Sequence, residues 1–194
     1  MTNTIDFYFD FISPYSYLAH QKLIHINKEN KIKINYRPVL LGGLHKLGEI
    51  TAPAFNERKM KNMKDDCELV AKKNNIKFKW NSNFPVNSLH LMRGFLVIDD
   101  KIKNEYIDIC FKAYWKDDIN ISEEDKINEI LKNCKIENLK FLKDIQNPKI
   151  KDELKQLTKM AFDKNVFGAP TFMVNNKLFW GQDRLEYAVE EYYS

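Results

Sequence analysis

The stretch IDFYFDFISPYSYLAHQKL, residues 5–23, changes its periodicity part-way along. Residues 5–11 alternate and are rich in Phe, Tyr and Ile, the pattern of a strand with one face against a core. At Ser13-Pro14-Tyr15-Ser16 the alternation stops and a helical spacing begins, with Ser placed to cap the helix and Pro at its first position. The helix reads as far as about Glu29. Residues 32–40, IKINYRPVL, then alternate again. Strand, long helix and strand in that order predict a βαβ unit with parallel strands.

Beyond it, LLGGLHKLGEITAP at residues 40–53 reads as a Gly-rich loop closed by Pro53. From there to about residue 164 the periodicity is helical. PAFNERKMKNMKDDCELVAKKNN carries Phe55, Met60, Met63, Cys67 and Val70 at helical spacing, and further helices are expected around 88–116, 122–133, 137–146 and 148–164. The pattern returns to strand in APTFMVNNKLFWG, residues 169–181, where Asn175-Asn176 signals a two-residue hairpin. QDRLEYAVEEYY closes the chain as an amphipathic helix. With the helical block removed, βαβ followed by ββα remains, which is the order of the thioredoxin fold. The predicted class is therefore α/β, with residues 1–45 and 155–194 forming a thioredoxin-like domain and 46–154 an inserted helical domain.

Composition narrows the function classes. Of 194 residues, 44% are hydrophobic and 13% aromatic, which describes a packed protein rather than a disordered one. The 31 basic and 27 acidic residues leave a formal charge of +4, too nearly balanced for a nucleic-acid partner to be expected. No apolar run reaches membrane-spanning length and the first residues lack a signal-peptide pattern, so a cytoplasmic protein with no membrane association is expected. Cys67, Cys110 and Cys134 show neither CxxC nor zinc spacing and read as free thiols, with no metal site expected.

Three motifs carry chemistry. In thioredoxin-like chains a CxxC occupies the first strand-to-helix turn. Here Ser13 and Ser16 stand in its place, so disulfide exchange is excluded at this turn. The Ser13 hydroxyl at a helix N-terminus can donate to a thiolate, which the helix dipole also favours. Alternatively Ser13 is a cap alone, worth about 1 kcal/mol. In Gly168-Ala169-Pro170-Thr171 the proline leads into a strand pair, and the matching proline of this fold is cis. A cis bond would turn the N–H and C=O of Ala169 outward to pair with an extended peptide such as glutathione. Gln182 and Asp183, at the start of the last helix, can hold the ammonium of a γ-glutamyl group.

Together FDFISPYSYLA, PVLLGGL, FPVNSLHLMRG, NVFGAPTFMV and FWGQDRL resemble the glutathione-dependent 2-hydroxychromene-2-carboxylate isomerases and the related kappa-class glutathione transferases, from about residue 5 to the carboxyl end. The resemblance implies a thioredoxin core with a helical insertion, glutathione as cofactor, an aromatic small-molecule substrate and a homodimer. It implies that Ser13 contacts the glutathione sulfur, that Ala169 pairs with its cysteinyl part beside cis-Pro170, and that Trp180, Gly181, Gln182 and Asp183 bind its γ-glutamyl end. Lys59 matches a family lysine of the first inserted helix, with a plain surface lysine as the other reading. His45, Lys46, Asn87 and Arg93 are candidates to face the organic substrate; a loop base, a helix cap and a surface arginine are the competing readings. The family's Asn-x-Pro-Pro element is absent, GEITAP standing in its place. The implied activity is a glutathione-dependent isomerisation through a thiolate held by Ser13. A kappa-class-like transferase and a non-catalytic thioredoxin-like glutathione-binding protein are the alternatives.

Overall fold

The computed structural model describes residues 4–28 and 31–194. Strand β1 (Ile5–Phe9) leads through a short turn into helix α1 (Pro14–Asn27), and β2 (Ile34–Pro38) follows; the expected helix end near Glu29 lies outside the described residues. Helices α2 (Leu41–Leu47), α3 (Glu57–Lys73), α4 (Leu89–Val97), α5 (Lys103–Trp115), α6 (Glu124–Asn133), α7 (Asn138–Ile145) and α8 (Pro148–Asp163) come next, then β3 (Thr171–Val174), β4 (Lys177–Trp180) and α9 (Leu185–Tyr193). The strands form one mixed sheet in the order β2-β1-β3-β4, with β1 parallel to β2 and antiparallel to β3. This is the thioredoxin-like arrangement expected from the sequence. Asn175 and Asn176 both have positive φ, 49° and 63°, as a type I′ hairpin requires.

The alternation of β1 buries Phe7 and Phe9 completely, and Phe11 continues the buried row beyond the strand end. Phe9 meets Phe95 of α4 edge-on at 5.4 Å, while Phe11 meets Phe111 of α5 at 4.9 Å. Trp115 at the end of α5 donates its indole N–H to the Phe11 carbonyl at 2.8 Å. One apolar cluster thus joins the sheet to the inserted helices, and the turn after β1 is held from the helical side. The three cysteines are free and buried.

Two expectations are corrected. Residues 41–47, read as loop, form α2. Its N-cap, Leu40, has no capping side chain; instead the Leu41 N–H donates to the carboxylate of Asp10 at 2.9 Å and the Leu40 N–H to Thr158 Oγ1 at 2.9 Å. The helix is capped from distant parts of the chain, so its local sequence carries no start signal. The single helix expected over 88–116 is two. Ile98 is extended, and Asp99 accepts from the Lys101 N–H at 2.8 Å to open a 3-10 turn, Asp100–Ile102, before α5.

Candidate functional site

At the end of β1 the backbone turns so that the Ser13 N–H donates to the Asp10 carbonyl at 3.0 Å, and α1 starts at Pro14. The Ser13 hydroxyl accepts from the Ser16 N–H at 3.1 Å, the bond of an N-cap. It also donates to the Ala169 carbonyl at 2.8 Å, across 156 residues of sequence. Ser13 is buried, 2% exposed, so both bonds are shielded from water. Helix geometry leaves the Tyr15 N–H without an intrahelical acceptor, and it shares the positive end of the helix. Ser16 is fully buried with no partner for its hydroxyl among the described residues.

The Ala169–Pro170 peptide is cis, as the strand order predicted. The expectation that both polar groups of Ala169 are free is half corrected. Its carbonyl accepts from Ser13, whereas its N–H has no acceptor among the described residues. The Pro170 carbonyl accepts from the Gly181 N–H at 3.0 Å, which draws the FWGQDRL run onto the same loop. Gly181 has φ +103°, a conformation that only glycine adopts without strain. Trp180, half exposed, crosses above Gly168 so closely that a Cβ there would sit 2.7 Å from its indole nitrogen, and it packs against Phe167 with ring centres 5.0 Å apart.

Gln182 and Asp183 lie in a 3-10 turn that precedes α9. The Gln182 side-chain amide oxygen accepts from the Lys22 ammonium of α1 at 2.7 Å, and Asp183 pairs with Arg184 at 2.9 Å on the surface. Lys59 is in the first turn of α3, whose N-cap is Asn56. With Tyr15, Pro53, Arg58, Asn62 and Met63 it lines a cleft of about 370 Å³. Tyr15 thereby links the N-terminus of α1 to two cations of α3, and its hydroxyl donates to Asp66 at 2.8 Å.

The fold thus gathers Ser13, Ala169, Pro170, Gly181 and Trp180 around one loop, with Gln182 and Lys59 at its flanks. The four substrate candidates lie on or just ahead of α2 and α4, whose starts are tied to the Ser13 turn through Asp10. His45 and Lys46 are on α2 rather than in a loop; burial pulls the His45 imidazole below its ordinary pKa. Asn87 is exposed and accepts from the Leu89 N–H at 2.8 Å, just ahead of α4. Arg93 lies on α4, with His90 nearby, and its Nε is buried without a partner among the described residues.

One residue escaped the sequence reading. Asp10 is 2% exposed, and its carboxylate accepts from the Ser88 hydroxyl at 2.7 Å, the Leu41 N–H at 2.9 Å and the Ile12 N–H at 3.2 Å. Burial pushes its pKa up, while those donors pull it down less strongly. A lone acid among aromatics in FYFDF was the available signal, since a buried carboxylate needs dedicated donors.

A serine capping the first helix opposite a cis-proline loop, on a β2-β1-β3-β4 sheet, is a thioredoxin-like site without cysteines. Residues 4–193 match the DSBA-like thioredoxin domain. The chain belongs to that family. Within it, the chain is 27% identical over 189 residues to a 2-hydroxychromene-2-carboxylate isomerase of Sphingobium xenophagum, covering 96% of both chains. It is 25% identical over 205 residues to glutathione S-transferase kappa 1 of Homo sapiens, covering 96% of this chain and 89% of that one. The solved structure of a 2-hydroxychromene-2-carboxylate isomerase superposes with a TM-score of 0.89 at 25% identity, covering 96% of this chain and 93% of that chain.

Proposed function

We propose that the protein is a cytoplasmic, homodimeric, glutathione-dependent isomerase of 2-hydroxychromene-2-carboxylate or a similar conjugated aromatic compound. The observation that carries this reading is the Ser13 hydroxyl, which caps α1 and faces the cis-Pro170 loop through Ala169. The isomerase and kappa-transferase relatives support the same choice. In this reading residues 1–45 and 155–194 form the thioredoxin-like domain that holds the sulfur and γ-glutamyl end of glutathione, and 46–154 form the inserted domain that adds Lys59 and shapes the substrate side.

Glutathione suits the groups present. Its peptide backbone has a donor and an acceptor to offer at Ala169, whose N–H has no acceptor among the described residues and whose carbonyl is shared with one hydroxyl. When bound, glutathione supplies a thiolate that adds across a conjugated double bond and is expelled after rotation, so no atoms are gained or lost. The protein's part is positioning and charge stabilisation. Ser13 turns its hydroxyl from the Ala169 carbonyl toward the sulfur while its oxygen keeps the Ser16 N–H. The Tyr15 N–H and the α1 dipole lower the thiol pKa. Lys59 holds a carboxylate across the cleft beside Tyr15. Gln182 and Asp183 hold the γ-glutamyl end, with Lys22 occupying the Gln182 amide oxygen so that the NH2 is the group left to donate.

The test supplies hydroxychromene carboxylate with and without glutathione and follows its absorbance. Glutathione-dependent isomerisation that is lost in Ser13→Ala is the expected result. Rapid conjugation of chlorodinitrobenzene without isomerisation would establish the transferase reading instead. Absence of any glutathione binding by calorimetry would leave a non-catalytic thioredoxin-like protein.

A further inference from the structure

On the side of α1 away from the Ser13 cap, an open cleft of about 590 Å³ lies between the C-terminal half of α1, the segment after α3, the end of α5 and the start of α9. Its volume is that of a small-molecule site. Lys22, Lys28, Lys77, Lys112 and Lys116 converge on it, against Glu186 as the one lining carboxylate among the described residues. Asp108 neutralises Lys112 at 2.6 Å and Asp117 neutralises Lys116 at 3.1 Å. Among the described residues no carboxylate lies in ion-pair contact with Lys22, Lys28 or Lys77. Among the described residues the cleft therefore carries an excess of positive charge.

Lys22 makes this more than a solvated rim of lysines. It is half-buried, and its ammonium is fixed at 2.7 Å by the Gln182 amide oxygen, a neutral partner. Burial holds its pKa below the usual lysine value, against the pull of Glu186 and Asp183. A partly desolvated cation without a carboxylate in contact gains from a bound anion more than an exposed lysine does. Beside it, Ile24 and Ile76 give the wall an apolar part, and the Tyr17 hydroxyl ties the Lys77 carbonyl to α1, which fixes that wall in place.

We propose that this cleft binds a small organic polyanion, a multiply charged phosphate carried on a flat or apolar body, of the nucleoside-polyphosphate kind. The phosphates meet Lys22, Lys28 and Lys77, and the body lies against Ile24 and Ile76. The cleft opens on the other side of α1 from the Ser13 cap and adjoins the Gln182 turn through the Lys22 bond; its charge and lining do not depend on the glutathione reading.

Calorimetric titration of the full chain with ATP and with inorganic tripolyphosphate tests it. Saturable one-to-one binding below about 1 mM, weakened by added salt, is expected. Lys28→Ala with Lys77→Ala should weaken it by at least about tenfold. Both side chains are on the surface, so an unchanged thermal midpoint will show that the variant is folded. Lys149→Ala with Lys155→Ala, on α8, should leave binding intact. Tighter binding of ATP assigns the apolar wall to the nucleoside; equal binding assigns the site to phosphate chemistry alone. No saturation by either probe overturns the proposal. Equal losses in the two double variants would also overturn it, since binding would then be diffuse surface charge.

Discussion

The Ser13 hydroxyl and the Ala169 carbonyl hold each other at 2.8 Å, although 156 residues separate them in the chain. One hydrogen bond therefore closes the strand-to-helix turn onto the cis-proline loop. In the proposed reaction that bond is exchanged, the hydroxyl going to sulfur and the carbonyl to a peptide N–H. Ser13→Ala removes both cap and donor, whereas Ser13→Gly keeps most of the capping stability, because Gly at this position costs only a few tenths of a kcal/mol against about 1 for Ala. Thermal melts should rank Ala below Gly. Isomerase turnover should be lost equally in both, and absorbance of the bound thiolate should require a higher pH in both. Retention of turnover by Ser13→Gly would reduce Ser13 to a cap.

Lys59 shares its cleft with Arg58 and Tyr15 and is exposed. An exposed cation holding a carboxylate acts through a screened interaction worth about 1 kcal/mol or less. Lys59→Ala should raise the KM for glutathione by roughly threefold to fivefold and leave kcat nearly unchanged, with the difference shrinking as salt is added. Steady-state kinetics at two ionic strengths provide the check. A fall in kcat at unchanged KM would place Lys59 at the reacting centre instead.

What was legible in the chain follows from whether the cause is local. The β1 alternation, the Ser13-Pro14 cap, the Asn175-Asn176 turn and the order of strands are each written within a few residues, and each appears in the structure. The start of α2 was not legible because its capping groups, Asp10 and Thr158, come from β1's end and from α8. The same holds at the site. Ser13 and Pro170 could be found separately from motifs, but the bond that ties up the Ala169 carbonyl depends on how two distant segments meet. For Asn87 the sequence left a substrate contact and a helix cap both open; in the structure its side-chain oxygen accepts from the Leu89 N–H at the start of α4, a cap bond that does not bear on the substrate reading.

Asp10 is the joint of three segments, since it accepts from Ile12 in the Ser13 turn, from Leu41 at the start of α2 and from Ser88 ahead of α4. In Asp10→Asn one acceptor oxygen becomes an NH2 group facing a donor. Leaving such a buried donor unpaired costs on the order of 2 kcal/mol or more. Ser88→Ala removes one donor from the carboxylate and should cost less. Chemical denaturation should order stability as native, Ser88→Ala, then Asp10→Asn. An Asp10→Asn protein as stable as the native one would show that the carboxylate does not hold these segments together.

His20 gives the fold a pH dependence of defined sign. It is 1% exposed on α1, with Nδ1 at 2.9 Å from the Tyr36 hydroxyl and Nε2 at 3.4 Å from Asp108. Burial lowers its pKa, and the pull of Asp108 in the other direction is smaller, Lys112 opposing it. The folded protein therefore resists protonating His20, while the unfolded chain takes up that proton near the ordinary imidazole value of about 6.5. The stability from the neutral imidazole is complete above that value. It falls as pH drops below it and levels off once the folded-state pKa is passed. Asp108 adds a second loss at more acid pH. Burial alone would raise its pKa, but the His20 ring at 3.4 Å and hydrogen bonds from Lys112 and Gln21 hold it well below the usual carboxylate range. Its contribution is present above the ordinary aspartate pKa and is lost only as pH falls beneath it. Melting temperatures taken from pH 8 to 5 should decline below about 6.5 in the native protein and stay flatter in His20→Gln. A native curve with no decline in that interval would mean that His20 is charged in the folded state, with Asp108 outweighing its burial.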